Sequence, residues 1–210
     1  MIIFFILLSL LTSCVISDKL NRELVLKYPK YKSNYSKHMM FLAIIINLIL
    51  QLKFLNKINT IDFLNNNVFM NLAIIICFIS IIIISSCLAV SSIKDLLYFE
   101  LPDELNILIG LSLIPIAIFF YSGKSIFTGI AIFLIYFSFA IFTDSFGMGD
   151  AKLALALGFG IKLSLLLKFM FLSFLFASVF SILKIIVHKE SLKSEMAFGP
   201  YIALSFLLIF

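Results

Sequence analysis

Two short stretches of this apolar chain hold the residue types from which chemistry can be built. One is Gly147-Met148-Gly149-Asp150-Ala151-Lys152. Its glycines permit backbone geometry closed to other residues and let another chain come close. Asp150 falls in the first turn of the apolar run that follows, where the positive end of a helix dipole favours a carboxylate. The other is Asp95-Leu96-Leu97-Tyr98-Phe99-Glu100-Leu101-Pro102-Asp103. Asp95 closes a long apolar run, and Pro102 stops one helix and opens the next. A turn with an N-cap, or a solvated loop, accounts for either stretch alone without chemistry. Ionisable groups at membrane depth are costly, which tilts the first toward function, while the second taken alone is balanced between the two readings.

Two neighbouring carboxyls are enough to hydrolyse a peptide bond without a metal. Their repulsion separates the two titrations, so the pair shares one proton at working pH. The ionised partner draws a proton from water. The protonated partner polarises the scissile carbonyl. The helix dipole favours Asp150 as the ionised member, although the titration belongs to the pair. A third stretch, Phe198-Gly199-Pro200-Tyr201, carries no ionisable group and is suited to positioning rather than catalysis.

The elements that must hold these residues are membrane helices. The 210 residues are 63% hydrophobic and 13% charged, too few charges to cover a water-soluble surface. Apolar runs near 1–17, 39–55, 69–93, 104–122, 126–142, 151–166, 167–187 and 197–210 give an all-α polytopic transmembrane bundle of about eight spans, the first, sixth and last on the short side. Residues 1–68 form N-terminal spans with a short basic loop, and 69–210 a six-helix catalytic core. Asn65-Asn66-Asn67 and Tyr121-Ser122-Gly123-Lys124 read as turns between spans.

The segment from Asp18 to His38 carries Lys19, Arg22, Lys27, Lys30, Lys32 and Lys37, and as the most basic loop it is expected on the cytoplasmic side. Alternate counting then puts 94–103, 143–150 and 188–196 on that side too, so that Asp95 and Asp150 share one membrane edge. The net charge of +5 fits anionic lipid headgroups, and nothing resembles a nucleic-acid patch. Cys14, Cys77 and Cys87 have no paired spacing, and His38 and His188 are read as loop residues. No metal site and no cofactor are expected.

Together the three stretches resemble the type IV prepilin peptidase family, the GxGD intramembrane aspartyl proteases. Gly147 to Asp150 is similar to the GxGD box. Asp95 is similar to the first catalytic aspartate, with Pro102 seven residues on and Asp103 next. Phe198-Gly199-Pro200 looks like the C-terminal box. The resemblance covers about residues 70–210. It implies catalytic Asp95 and Asp150, with Gly147, Gly149, Lys152, Pro102, Gly199 and Pro200 supporting them. It also implies a prepilin or pseudopilin precursor as partner, in a prokaryotic cytoplasmic membrane, cut on the cytoplasmic side after a short basic leader. Larger members carry a cytoplasmic insert after the first span, often with two CxxC pairs that bind zinc, and also methylate the new N-terminus. The loop from Asp18 to His38 is short and lacks cysteine, so the resemblance gives no basis for carrying methylation over.

Residues 95–104 include Asp95, Glu100, Asp103 and Glu104 and no basic residue. Glu100, Asp103 and Glu104 are therefore expected to attract the basic leader. Intramembrane acids also mark ion pathways, so a small proton- or ion-coupled transporter is the alternative reading. Internal symmetry would favour it, and none is visible.

Overall fold

The computed structural model describes residues 2–28, 31, 35–59, 68–142, 146–188 and 196–210. Among these are eight α-helices: α1 (Ile2–Lys27), α2 (Ser36–Asn59), α3 (Val68–Tyr98), α4 (Asp103–Tyr121), α5 (Lys124–Phe142), α6 (Met148–Gly158), α7 (Leu166–His188) and α8 (Gly199–Ile209). The chain is an all-α polytopic membrane bundle. Helices α2, α3, α4, α5 and α7 are long and apolar enough to cross a membrane.

Breaks between helices follow local chemistry. Helix α3 ends where Phe99 turns left-handed at φ 54°. Pro102, at φ −61° and ψ 127°, precedes the first turn of α4. Ser122 and Gly123 both take positive φ and reverse the chain between α4 and α5, as the turn-forming sequence predicts. The expected turn at Asn65-Asn66-Asn67 lies outside the described residues.

Helix α3 is the axis of the bundle. In its most apolar stretch 61% is buried, against 11% in α7, which presents its sides to lipid. Around α3 stand α1, α2, α4 and α8, while α6 bridges α4, α5 and α8. Helix α1 meets its neighbours through a stripe of small polar residues four apart, Ser9, Ser13, Ser17 and Asn21, all buried. The Ser86 hydroxyl donates to the Ser13 carbonyl at 3.0 Å, and the Asn47 amide to the Ser9 carbonyl at 3.0 Å. Small and polar residues serve in this way between membrane helices, where lipid is as apolar as any leucine.

Two readings need adjustment. Helix α1 runs on to Lys27, so the first part of the basic segment is helical rather than looped. Arg22 pairs with Asp18 one turn before it at 2.6 Å, an i,i+4 contact that supports such an extension. His38 likewise sits in the first turn of α2, and His188 ends α7.

The short runs at 151–166 and 197–210 resolve into helices of 11 residues each. At 1.5 Å per residue each is about 16 Å long, near half the hydrocarbon thickness. The N-terminus of α8 meets the C-terminal end of α3, and that of α6 meets the connection between α3 and α4.

Candidate active site

Asp95 lies in the last turn of α3, and the Phe99 N–H donates to its carbonyl at 2.8 Å. Its side chain is 4% exposed. Carboxylate oxygen Oδ2 accepts the backbone N–H of Gly199 at 2.8 Å, the first N–H of α8. Helix N-termini leave such donors without helical partners, and Pro200 beside it suits the first helical turn. A Cβ at Gly199 would stand 2.8 Å from that same oxygen, so only glycine lets α8 approach so closely.

Asp150 lies in the first turn of α6, outside the five spans, and is 8% exposed. Gly147 precedes the helix in extended conformation, and a Cβ there would come 3.0 Å from Asp150 Oδ2. Oxygen Oδ1 of Asp150 is buried with no hydrogen-bond partner among the described residues. Burial first, and the negative charge of Asp95 second, push Asp150 up to about 8, while a backbone hydrogen bond from Gly147 pulls the other way. Burial thus outweighs the helix dipole, which alone favours the ionised form.

The two carboxyls line one cavity of about 410 Å³ together with Tyr28, Tyr31, Phe99, Glu100, Leu101, Pro102, Asp103, Gly147, Met148 and Gly149. Gly149 allows close contact with the α3–α4 connection, since a Cβ there would lie 3.1 Å from Leu101 Cβ. Asn106 on α4 is buried and donates to the Gly149 carbonyl at 3.5 Å. Behind the cavity, fully buried Tyr136 stacks among Phe146, Phe174 and Phe198 and shares a hydrogen bond with Ser173.

Lys152 is not at the carboxyl pair. Its Nζ spans both Asp103 oxygens at 2.9 and 2.8 Å and ties α6 to the start of α4. Glu104 is likewise engaged, in an ion pair with Lys27 and a hydrogen bond from the Tyr28 hydroxyl at 3.0 Å. Glu100 accepts from the Tyr31 hydroxyl at 3.4 Å. Each of the three acids is therefore engaged by a side chain from α1, the α1–α2 connection or α6. A scan of residues 95–104 alone misses this because those partners lie far away in sequence.

Sequence reasoning also missed Tyr28, Tyr31, Lys94 and Asn106. Lys94 alone carried a signal: an uncompensated cation adjoining Asp95 at the end of an apolar run. Among the described residues, no group of three or more His, Cys, Asp or Glu side chains is placed to hold a metal ion.

A membrane bundle whose helix ends bring two buried carboxyls to one cavity defines a class of intramembrane hydrolase candidates. Comparison with known families narrows it: residues 82–182, which carry both Asp95 and Asp150, match the type IV leader peptidase family. The match covers a little under half of the chain and supports the resemblance that its three motifs carry. No curated protein and no solved structure matches it.

Proposed function

We propose that this protein is an aspartic endopeptidase of the prokaryotic cytoplasmic membrane that removes the basic leader from a prepilin-like precursor on the cytoplasmic side. The observation that carries the reading is the shared cavity of Asp95 and Asp150, supplied by two helices within the family-matched segment. Asp95 and Asp150 are the catalytic residues. Gly147, Gly149, Pro102, Gly199 and Pro200 shape the backbone around them.

Asp150, dry and raised, is the protonated partner, and Asp95 the general base. Asp95 takes a proton from water as the water oxygen bonds to the scissile carbonyl carbon. Asp150 gives its proton to the carbonyl oxygen. The tetrahedral intermediate then collapses: the C–N bond breaks, the amine nitrogen takes the proton from Asp95, and the gem-diol returns one to Asp150. The pair ends as it began, with one shared proton.

Leader recognition falls to Glu100, Asp103 and Glu104 together; Glu100 and Asp103 line the cavity, and each of the three is also held by a neighbouring side chain. The test is to mix the purified protein in detergent with a prepilin and with a pseudopilin precursor and look for a mobility shift. Wild type should cut after the leader, and Asp95→Ala and Asp150→Ala should not. Equal cleavage by wild type and either variant ends the proposal.

A further inference from the structure

A second cavity, of about 350 Å³, lies between α4 and α6 beside the carboxyl pair. On α4 it runs from Asp103 to Ile114, about 16 Å along the helix axis, and on α6 from Lys152 to Phe159. Small residues open it: Gly110 faces α6, and a Cβ there would lie 3.6 Å from the Ala156 Cβ. Its outer rim faces lipid, with Ile107 60% and Leu111 59% exposed. Apart from Asp103, Asn106 and Lys152 at one end, its lining is apolar.

That polar end is where the groove joins the catalytic cavity, because Asp103 lines both. Asn106 stands beside it, 4% exposed, and its Oδ1 is buried with no hydrogen-bond partner among the described residues. Its amide nitrogen meets the Gly149 carbonyl only at 3.5 Å, longer than a usual hydrogen bond, so the side chain is loosely held. A buried acceptor left over in this way points to a donor that a ligand brings. An acyl chain brings none. A polypeptide does, because a bond about to be cut must leave its helix, and backbone N–H groups freed within a membrane are costly until they are paired.

We propose that the α4–α6 groove holds the apolar segment that follows the scissile bond of the precursor, and that Asn106 Oδ1 accepts a backbone N–H just beyond that bond. The proposal rests on the peptidase reading above. The basic leader stays with the acids at the membrane edge, and the other side of the cut bond enters the bilayer along α4. The groove is too small for a whole helix and takes the side chains of one helix face, ridge into groove. Lipid surrounds the segment before it binds, so packing and hydrogen bonds hold it there rather than escape from water. Asn106 binds the peptide and takes no part in proton transfer.

Photocrosslinking of the full chain in proteoliposomes tests it, with Asp150→Asn keeping the precursor uncut. Benzoylphenylalanine in place of Ile107 or Leu111 should form adducts with the segment after the cleavage site. In place of Phe171, a residue of α7 that is 64% exposed, it should form adducts with lipid only. Steady-state cleavage in the otherwise wild-type chain gives a second readout. Ile107→Trp fills the groove from its lipid side and should raise KM at least about threefold, whereas Phe171→Trp should not. Asn106→Leu, similar in size, should raise KM about 3- to 18-fold, the worth of a single hydrogen bond between membrane helices, and leave kcat within about twofold. A role confined to holding Gly149 would instead lower kcat with KM unaltered. That result, an unaltered KM in Ile107→Trp, or lipid adducts alone at 107 and 111 would overturn the proposal. Cleavage by wild type alongside lipid adducts alone would leave the peptidase reading standing without the groove. Precursor adducts at 107 and 111, with wild type cutting no precursor, would sink the peptidase reading and leave the groove standing.

Discussion

Asp95 and Asp150 reach the same cavity from opposite ends of very different helices. Asp95 rides on the last turn of the 31-residue axis of the bundle, and Asp150 on the first turn of an 11-residue helix. Their surroundings differ as much. Asp95 Oδ2 is held by a backbone donor from α8, whereas Asp150 Oδ1 is buried without a partner among the described residues. Like residues become unlike groups because separate helix ends, α8 in one case and α6 in the other, decide how each is solvated. Unlike partners are what acid–base hydrolysis requires.

The sharpest way to break this comparison is to remove either carboxyl charge. Asp95→Asn and Asp150→Asn should each lower kcat by at least about 100-fold, the lower bound for a positioned acid or base. Single-turnover cleavage of a detergent-solubilised precursor measures it. A variant retaining a tenth of the activity would show that its aspartate is dispensable.

Milder substitutions separate the two sides. A methyl at position 199 collides with Asp95 Oδ2 at 2.8 Å and Leu101 Cδ2 at 3.1 Å, whereas one at 147 meets Asp150 Oδ2 at 3.0 Å, an oxygen whose side chain can give a little. Gly199→Ala should therefore cost about tenfold in kcat and Gly147→Ala about threefold, the corresponding barriers rising by about 1.4 and 0.6 kcal/mol. The reverse order would mean that α8 does not set the position of Asp95.

Solution pH sharpens the comparison further. Asp150 is raised from 3.8 to about 8, so the folded protein binds this proton more tightly than the unfolded chain does. Its contribution to stability is fully present below about pH 4 and is lost as pH rises toward 8. Thermal unfolding across that window should show a downward slope with pH that is weaker in Asp150→Asn. Cleavage should fall on the alkaline side near pH 8, where the pair gives up its shared proton. A wild-type slope matched by the variant would place the titration elsewhere.

Smallest of all should be the effect of chelation. Treatment with EDTA is expected to leave cleavage unaltered, because the proposed mechanism uses two carboxyls and no metal. Loss of activity restored by zinc would replace this mechanism with a metal-assisted one.

Much of this was legible in the sequence. Helix-forming runs of leucine, isoleucine and phenylalanine mark the long spans to within a few residues, and the reversal at Ser122-Gly123 follows from turn chemistry. Gly147 to Asp150 and Phe198 to Pro200 stand out because glycine, proline and acid are rare in such a background. Two things were hidden. The compensation of Asp103 and Glu104 depends on Lys152 and Lys27, which are 49 and 77 positions away. Lys94 Nζ and the Tyr31 ring, whose centroid is 4.2 Å from it, meet only after α1 folds against α3, so neither periodicity nor composition links them.

One contact away from the cavity reaches beyond packing. Helices α5 and α6 meet backbone to backbone beside the Phe159 ring: a Cβ at Gly158 would lie 2.4 Å from the Gly129 Cα, and one at Gly129 would lie 2.5 Å from Phe159 Cδ1 and 2.7 Å from the Leu155 carbonyl oxygen. Small residues let membrane helices touch in this way. Backbones in contact cannot slide past one another, so the depth of Asp150 is gauged by protein rather than by lipid. Bilayers of different thickness tilt or compress long spans, but here α5 and α6 must tilt as one piece. Cleavage by wild type should consequently vary less with lipid acyl-chain length than cleavage by a Gly129→Ala variant, in which the two helices are prised apart and the depth of the acid is left to the surrounding membrane.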